Sequence, residues 1–356
     1  MKISFLIGID LKIWLKILTN NHYPLSKKYT LDILIHFGFS LLNSLIAFFE
    51  RSLFHHKIEQ TQISLPPIFI LGHWRSGTTH LQYTMSQDPE IYSPSTYEVL
   101  FPHTFLITRK IGSLLLSPFV PKKRPQDNME GSLNHPNEDE IALAVMTGLS
   151  PYLAWPFPQE EKRFLNYISF INSSAKDKDE WKNALLYFVK KLTFAHPNKR
   201  LLFKSPAHTA RMDLIKEVFP NALFIHISRK PEKVFKSSLY LYQTWEKSYA
   251  FLQKPTNLKY EKRIVDIYQL LYEAYLEQLP HHKVYKLSYE EFIITPLSEL
   301  ENLYTENMLN LSATTLSIFK NYLDKQSSYQ VLNHDKSSNL DPDSMSVLTT
   351  IYLKTL

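Results

Sequence analysis

The sequence predicts an α/β fold: a central, mainly parallel sheet with helices on both faces. Three observations predict it. Short apolar runs at "PPIFILG" (66–72), "LLF" (201–203), "ALFIHI" (222–227) and "KVYKLSYEEF" (283–292) read as strands. Most of them lead into a segment with helical spacing, and strand–helix alternation favours parallel pairing. Finally, hydrophobic residues make up 44% and charged residues 21% of 356 residues, the profile of a folded globular chain.

The first twenty residues lack a clean apolar core and cleavage site, so no secretory signal is expected and the chain is placed in the cytoplasm. Residues 31–50 read as a helix in which Asp32, His36, Ser40, Asn43 and Glu50 recur on one side of a wide apolar surface. A polar stripe argues against a bilayer-spanning helix. Two readings stay open: a helix packed on the domain, and a helix lying in a membrane surface. "PPIFILG" reads as a strand because two prolines open it and glycine closes it, and "RSGTTHLQYTMS" as a turn entering a helix. A Pro- and charge-rich loop over 121–137 follows, including the basic "PKKRP" (121–125). A helix then starts after Asn137 as N-cap, with Glu140 completing a capping box. Trp181, Leu185, Phe188, Val189 and Leu192 mark the apolar face of the next helix.

Ser205 and Pro206 are expected to cap and open a helix that ends at Pro220, and Pro231 opens another. A further amphipathic helix covers 261–279, and the polar tail beyond about 325 reads as loop. The domain reading is an N-terminal helical extension over 1–60, a main domain over 61–325 and a C-terminal segment over 326–356.

Composition narrows the function. Forty basic against thirty-four acidic side chains give a net +6, with a pI near 9.0. That suits an anionic ligand and is too weak a bias to indicate nucleic acid. The absence of cysteine excludes disulfides, thiol catalysis and cysteine metal sites. The chain holds seven glycines, two of them in "FILGHWRSGTTHL" (69–81). Gly72 and Gly77 have the spacing of a phosphate-binding P-loop, but Thr78 and Thr79 stand where Lys and Ser or Thr are expected. A strand ending in such a turn aims backbone N–H groups at an anion, and Arg75, Ser76, Thr78 and Thr79 add donors. In "ISRKPEKVFKSS", Arg229 ends a strand and Ser237 lies on the next helix, a pair able to hold a second phosphate.

Together "GHWRSGTTHL" and "SRKPEKVFKSSLY" resemble the two donor-binding motifs of the sulfotransferases that use 3′-phosphoadenosine 5′-phosphosulfate (PAPS). The first resembles the variant with arginine in place of lysine, as in carbohydrate, protein-tyrosine and many bacterial members. The similarity runs from about Pro66 to Pro296 and includes "LSYEEFIITP". It implies a P-loop-NTPase-like three-layer fold, with Arg75, Ser76, Gly77, Thr78 and Thr79 on the 5′-phosphosulfate and Arg229 and Ser237 on the 3′-phosphate. No metal is expected. The implied reaction is in-line transfer of the sulfuryl group to a hydroxyl or amine.

Such transfer needs positive charge on the moving group and a base for the acceptor's proton. Arg75 and Lys204 are the cations. His208 resembles the histidine that follows the lysine of cytosolic members, although Pro206-Ala207 widens the spacing. Glu98 stands about where arginine-type members carry a catalytic glutamate, and Glu138 and Glu140 are rival carboxylates. His226, mid-strand, reads as a core residue. The aromatic "SPYLAWPFP" (150–158) is either core or the wall of an acceptor pocket. Small-molecule, lipid and carbohydrate acceptors all remain open, and residues 31–50 add a possible peripheral membrane contact. Two other readings compete: a nucleotide kinase or NTPase with a degenerate loop, and a non-catalytic nucleotide-binding adaptor at a membrane surface.

Overall fold

A computed structural model describes residues 4–121, 123, 130–248, 252–253, 259–326 and 340–356, without the side chains of 245–248. Part of the expected loop at 121–137 and part of the tail beyond about 325 therefore lie outside the described residues.

Five strands form one sheet: β1 (Ile68–Leu71), β2 (Ile91–Tyr92), β3 (Arg200–Lys204), β4 (Leu223–Ser228) and β5 (Val284–Ser288). Their order is β2-β3-β1-β4-β5 and every pair is parallel. Parallel pairing puts all the strand C-termini on one edge. The chain fills one side of β1 first and then crosses to the other. The crevice above β1 is thus the topological switch point, where open α/β sheets bind ligands. Registration of Ile70 with Lys204 and of Leu71 with His226 sets the motif residues side by side.

Alternation along the strands builds two cores. Ile68, Ile70, Leu202, Ile225 and Ile227 pack on one face against Leu81, Met85, Leu303 and Phe319. Phe69, Leu71, Phe203 and Phe224 pack on the other, in a larger core that includes Trp181, Leu185, Phe188, Val189 and Leu192.

The helices before β3 are α1 (Leu11–Thr19), α2 (Thr30–Glu59), α3 (Thr78–Met85), α4 (Thr96–Leu100), α5 (Phe105–Leu116), α6 (Asp139–Thr147), α7 (Glu161–Leu165) and α8 (Ala175–Ala195). After it come α9 (Met212–Val218), α10 (Pro231–Ser248), α11 (Tyr260–Gln278), α12 (Tyr289–Ile294), α13 (Pro296–Glu306), α14 (Ala313–Gln326) and α15 (Pro342–Thr355).

Several local expectations change. The helix opened by Pro206 is two pieces: a 3₁₀ turn over Pro206–Ala210, then α9. Arg211 breaks it because its backbone leaves the helical region (φ −133°, ψ 23°) while its guanidinium is buried on Glu140. Ser205 makes no side-chain cap there. Asn137 does not cap α6 either: Glu138 is the N-cap residue, and the Asn137 amide oxygen accepts from the Glu138 N–H at 2.8 Å. The strand read through 283–292 stops at Ser288, whose hydroxyl accepts from Glu291 N–H and starts α12. The tail is not all loop. Asp341 caps α15 by accepting from Ser344 N–H, and Leu348 enters the larger core.

The helix at 31–50 extends over the whole of α2, and its polar stripe faces inward. His36, Ser40, Asn43 and Glu50 are buried. The Asn43 amide donates to the carbonyls of Ile7 and Ile9 at 2.7 and 3.2 Å, and Ser44 Oγ accepts from Leu11 N–H at 2.8 Å. Glu50 is paired with the buried Lys191, and it also accepts from Ile107 N–H at the start of α5 at 3.2 Å.

Candidate active site

The loop between β1 and α3 has the backbone of an anion cradle. Gly72 and Gly77 take φ of +140° and +100°, and a Cβ on Gly77 would come within 2.2 Å of the Tyr289 ring. Only glycine fits that position. Arg75 also lies in left-handed space (φ 72°), an uncommon state for a residue with a side chain. Two contacts hold the strained loop. Gly72 N–H donates to Thr209 Oγ1 at 2.7 Å, and Arg229 Nη1 donates to the Arg75 carbonyl at 3.0 Å.

The two motifs therefore meet in space. Arg75 Nε donates to Ser237 Oγ at 2.8 Å, and the Arg229 guanidinium lies 4.5 Å over the Tyr289 ring that covers Gly77. Thr78, which is buried, and Thr79 open α3. The Ser76 hydroxyl is fully buried and has no hydrogen-bond partner among the described residues. A buried, unanswered donor inside a glycine cradle fits an anionic ligand, because leaving it unpaired costs about 1–3 kcal/mol.

The candidate bases separate clearly by burial. His208 is fully buried: Nε2 sits 2.6 Å from Asp139 Oδ2, and the ring packs edge-on to Phe69 and Trp181. It lies in the core with no exposed surface. Glu98 is fully buried too. It accepts from Tyr92 OH and Ser95 N–H at 2.7 Å, from His196 Nε2 at 2.8 Å and from Arg109 Nη1 at 3.0 Å. Burial, the largest influence, pushes its carboxyl up, but the hydrogen bonds and charges of His196, Tyr92 and Arg109 together hold it below the ordinary value. Such a carboxylate caps α4 in a capping box, and both of its oxygens already accept hydrogen bonds. Glu140 accepts from both terminal nitrogens of Arg211, at 2.7 and 3.2 Å, and from Ser150 Oγ at 2.7 Å, all buried.

Glu138 is different. It is partly exposed, at 18% of its side chain. One oxygen accepts from Lys204 Nζ, at the end of β3, and the other from Tyr152 OH. Trp74 Nε1 in turn donates to Tyr152 OH at 3.0 Å. Burial, and then the charge of Glu138, push the Tyr152 phenol well above its ordinary value, so it stays a proton donor. The sequence marks Glu138 only as an acid near a helix start; the strand end that supplies Lys204 lies 66 residues away.

Trp74 and Tyr152 also line a cleft, together with His73, Trp155, Tyr242 and Ile267. Burial holds the His73 imidazole down to about 4, so it is neutral. The "SPYLAWPFP" segment thus contributes both to the core, through Leu153 and Phe157, and to this cleft, through Tyr152 and Trp155. His226 is a core residue stacked 4.6 Å from Tyr275, and neither ring nitrogen is hydrogen-bonded among the described residues.

Comparison with known proteins agrees with this geometry. A model of the sulfotransferase family matches residues 66–312. The chain is 31% identical over 328 residues to omega-hydroxy-beta-dihydromenaquinone-9 sulfotransferase Stf3 of Mycobacterium tuberculosis and of Mycobacterium bovis, covering 91% of this chain and 84% of the relative. Among solved structures, sulfotransferase STF9 from Mycobacterium avium has a TM-score of 0.73 at 16% identity, covering 97% of this chain and 91% of that one. Sulfotransferase STF1 from Mycobacterium tuberculosis gives 0.66 at 13% identity, with coverages of 96% and 90%. The last two show the fold. The family match and the curated relatives show more: this chain belongs to the sulfotransferase family.

Proposed function

We propose that the protein transfers the sulfuryl group of PAPS to the hydroxyl of a hydrophobic, lipid-like acceptor, with Glu138 as the general base. The observation that carries this reading is the position of Glu138. It bridges Lys204, at the donor edge of the sheet, and Tyr152, in the wall of the aromatic cleft. Arg75, Ser76, Gly77, Thr78 and Thr79 would hold the 5′-phosphosulfate, and Arg229 and Ser237 the 3′-phosphate. PAPS supplies an activated sulfuryl group and a phosphate leaving group.

Glu138 accepts the acceptor's proton as the new oxygen–sulfur bond forms. Lys204 and Arg75 answer the charge that gathers on the bridging oxygen as the old sulfur–oxygen bond breaks. Tyr152 and Trp74 hold the carboxylate in one orientation, which a positioned base requires. The mycobacterial relatives are named for a menaquinone derivative that carries a hydroxyl. An aromatic-lined cleft suits an acceptor of that class.

The test is incubation of the purified protein with PAPS and a detergent-dispersed isoprenoid alcohol, followed by mass analysis for sulfated lipid. The expected products are the sulfate ester and 3′,5′-adenosine bisphosphate. Glu138→Gln should lose about 10²- to 10⁴-fold in turnover while still binding the bisphosphate. Magnesium-dependent ATP hydrolysis without sulfation would instead favour the nucleotidase reading. Tight bisphosphate binding with no sulfated product from any acceptor would favour the adaptor reading. Full turnover by Glu138→Gln would remove Glu138 as base.

A further inference from the structure

Helix α2 is inside out for a helix on a water-soluble surface. Its buried side is polar, and its outer side is apolar. Leu31, Leu34, Leu41, Leu45 and Phe48 are 56–70% exposed, and they lie on the flank opposite Ser40, Asn43 and Glu50. From Leu31 to Leu53 this face runs about 33 Å at 1.5 Å per residue. A second apolar face adjoins it. Helix α5 starts where Ile107 N–H meets Glu50, and its Ile111, Leu114 and Leu115 are 65–75% exposed. Isolated exposed leucines need no explanation, but a continuous face of this extent does.

The surrounding charge identifies the occupant. Lys27 and Lys28 precede the face, Arg51 and Lys57 stand at its far end, and Lys110 lies on α5, all exposed. Between residues 11 and 57 the acids are Asp32 and Glu50, and Glu50 is buried on Lys191. Residues 101–123 contain no acid. We infer that α2 and α5 form a docking platform for an anionic lipid bilayer, with α2 lying along the surface and the lysines and arginine on the headgroups.

A second copy of the chain fits less well. Packing α2 on α2 in either direction sets basic ends against basic ends, and the exposed acid at the far end, Glu59, is already paired with Lys190 at 3.3 Å. A bilayer-crossing α2 fits no better. It would strip the Asn43 and Ser44 hydrogen bonds and leave Lys191 buried without its partner. This inference stands apart from the proposed acceptor, since it concerns where the protein sits and not what it sulfates.

The experiment is flotation of the full chain with vesicles of phosphatidylcholine alone and of phosphatidylcholine mixed with phosphatidylglycerol. The protein should float with the mixed vesicles. Leu41→Glu/Phe48→Glu should bind at least about tenfold more weakly, and Lys27→Glu/Lys28→Glu should lose mainly the preference for the anionic lipid. Both variants change exposed side chains, so unchanged circular dichroism and unchanged bisphosphate affinity should accompany the loss. Equal flotation of wild type and Leu41→Glu/Phe48→Glu would overturn the proposal. So would a chain that ignores both vesicles, including one that light scattering shows to be a dimer through this face.

Discussion

The donor side and the acceptor side of the proposed site are built in opposite ways. On the donor side, Arg75, Ser76, Gly77, Arg229 and Ser237 sit in two short runs that follow β1 and β4, neighbours in the sheet. Parallel pairing alone sets those runs side by side. On the acceptor side, Glu138, Tyr152, Trp155 and Tyr242 come from the start of α6, a 3₁₀ turn and α10, and only tertiary packing assembles them. A ligand bound through backbone and strand ends demands a fixed local sequence, whereas a cleft walled by side chains can be met from many places. Substitutions on the two sides should therefore separate donor binding from turnover.

The largest separation is expected at Arg229. Its guanidinium holds the strained Arg75 carbonyl, covers the Tyr289 ring on Gly77 and, in the proposed site, supplies a cation for phosphate. A charge-assisted hydrogen bond contributes about 1.5–3 kcal/mol, so Arg229→Ala should weaken 3′,5′-adenosine bisphosphate at least about tenfold by calorimetry. Tyr152→Phe, which removes the Glu138 hydrogen bond, should leave that affinity nearly unchanged and lower turnover. Equal losses of bisphosphate affinity in both variants would break the division into two sides.

That division also explains what could be read from the sequence. The sheet and its parallel sense were legible, because each strand rests on contiguous residues with a local physical signature. The proposed base, Glu138, stood out there only as a rival carboxylate. Glu98 and His208 stand at plausible distances along the chain, but Glu98 is consumed by Ser95, His196 and Arg109, and His208 turns inward onto Asp139. Sequence spacing reports which residues are near the loop in the chain; it cannot report which face of a strand or turn they leave by. Helix α2 teaches the same point. Its polar stripe was visible, but which side faced the body was not, since either orientation has the same periodicity. The buried Glu50–Lys191 pair, formed across 141 residues, decides it.

A middle-sized effect is expected at Glu98, and it sharpens the contrast between a structural and a catalytic carboxylate. Glu98→Gln keeps the shape but puts an amide against the Arg109 and His196 donors, so stability should fall by about 2–3 kcal/mol. Denaturant titration should show the lower midpoint, while turnover per folded molecule stays near wild type. The opposite pattern, full stability with lost turnover, would return Glu98 to the list of bases.

The smallest effect concerns His226, which belongs to neither side of the crevice and reports on the sheet between them. Burial, with a lesser contribution from Lys286, pushes its imidazole from 6.5 down to about 3. Between those values the unfolded chain binds a proton that the folded chain refuses, so this group makes stability fall as pH drops from about 6.5 towards 3. One proton corresponds to about 1.4 kcal/mol per pH unit at most. Phenylalanine preserves the stack on Tyr275 and gives up no hydrogen bond, because neither ring nitrogen makes one among the described residues. His226→Phe should therefore match wild type near neutral pH and exceed it at pH about 5, flattening the acid limb of the stability curve. Part of the slope should survive, because His73 is also buried neutral and titrates in an overlapping window. Acid limbs that superimpose in the two proteins would mean that the folded chain admits the proton at position 226, and that the sheet beneath the crevice opens more readily than its packing implies.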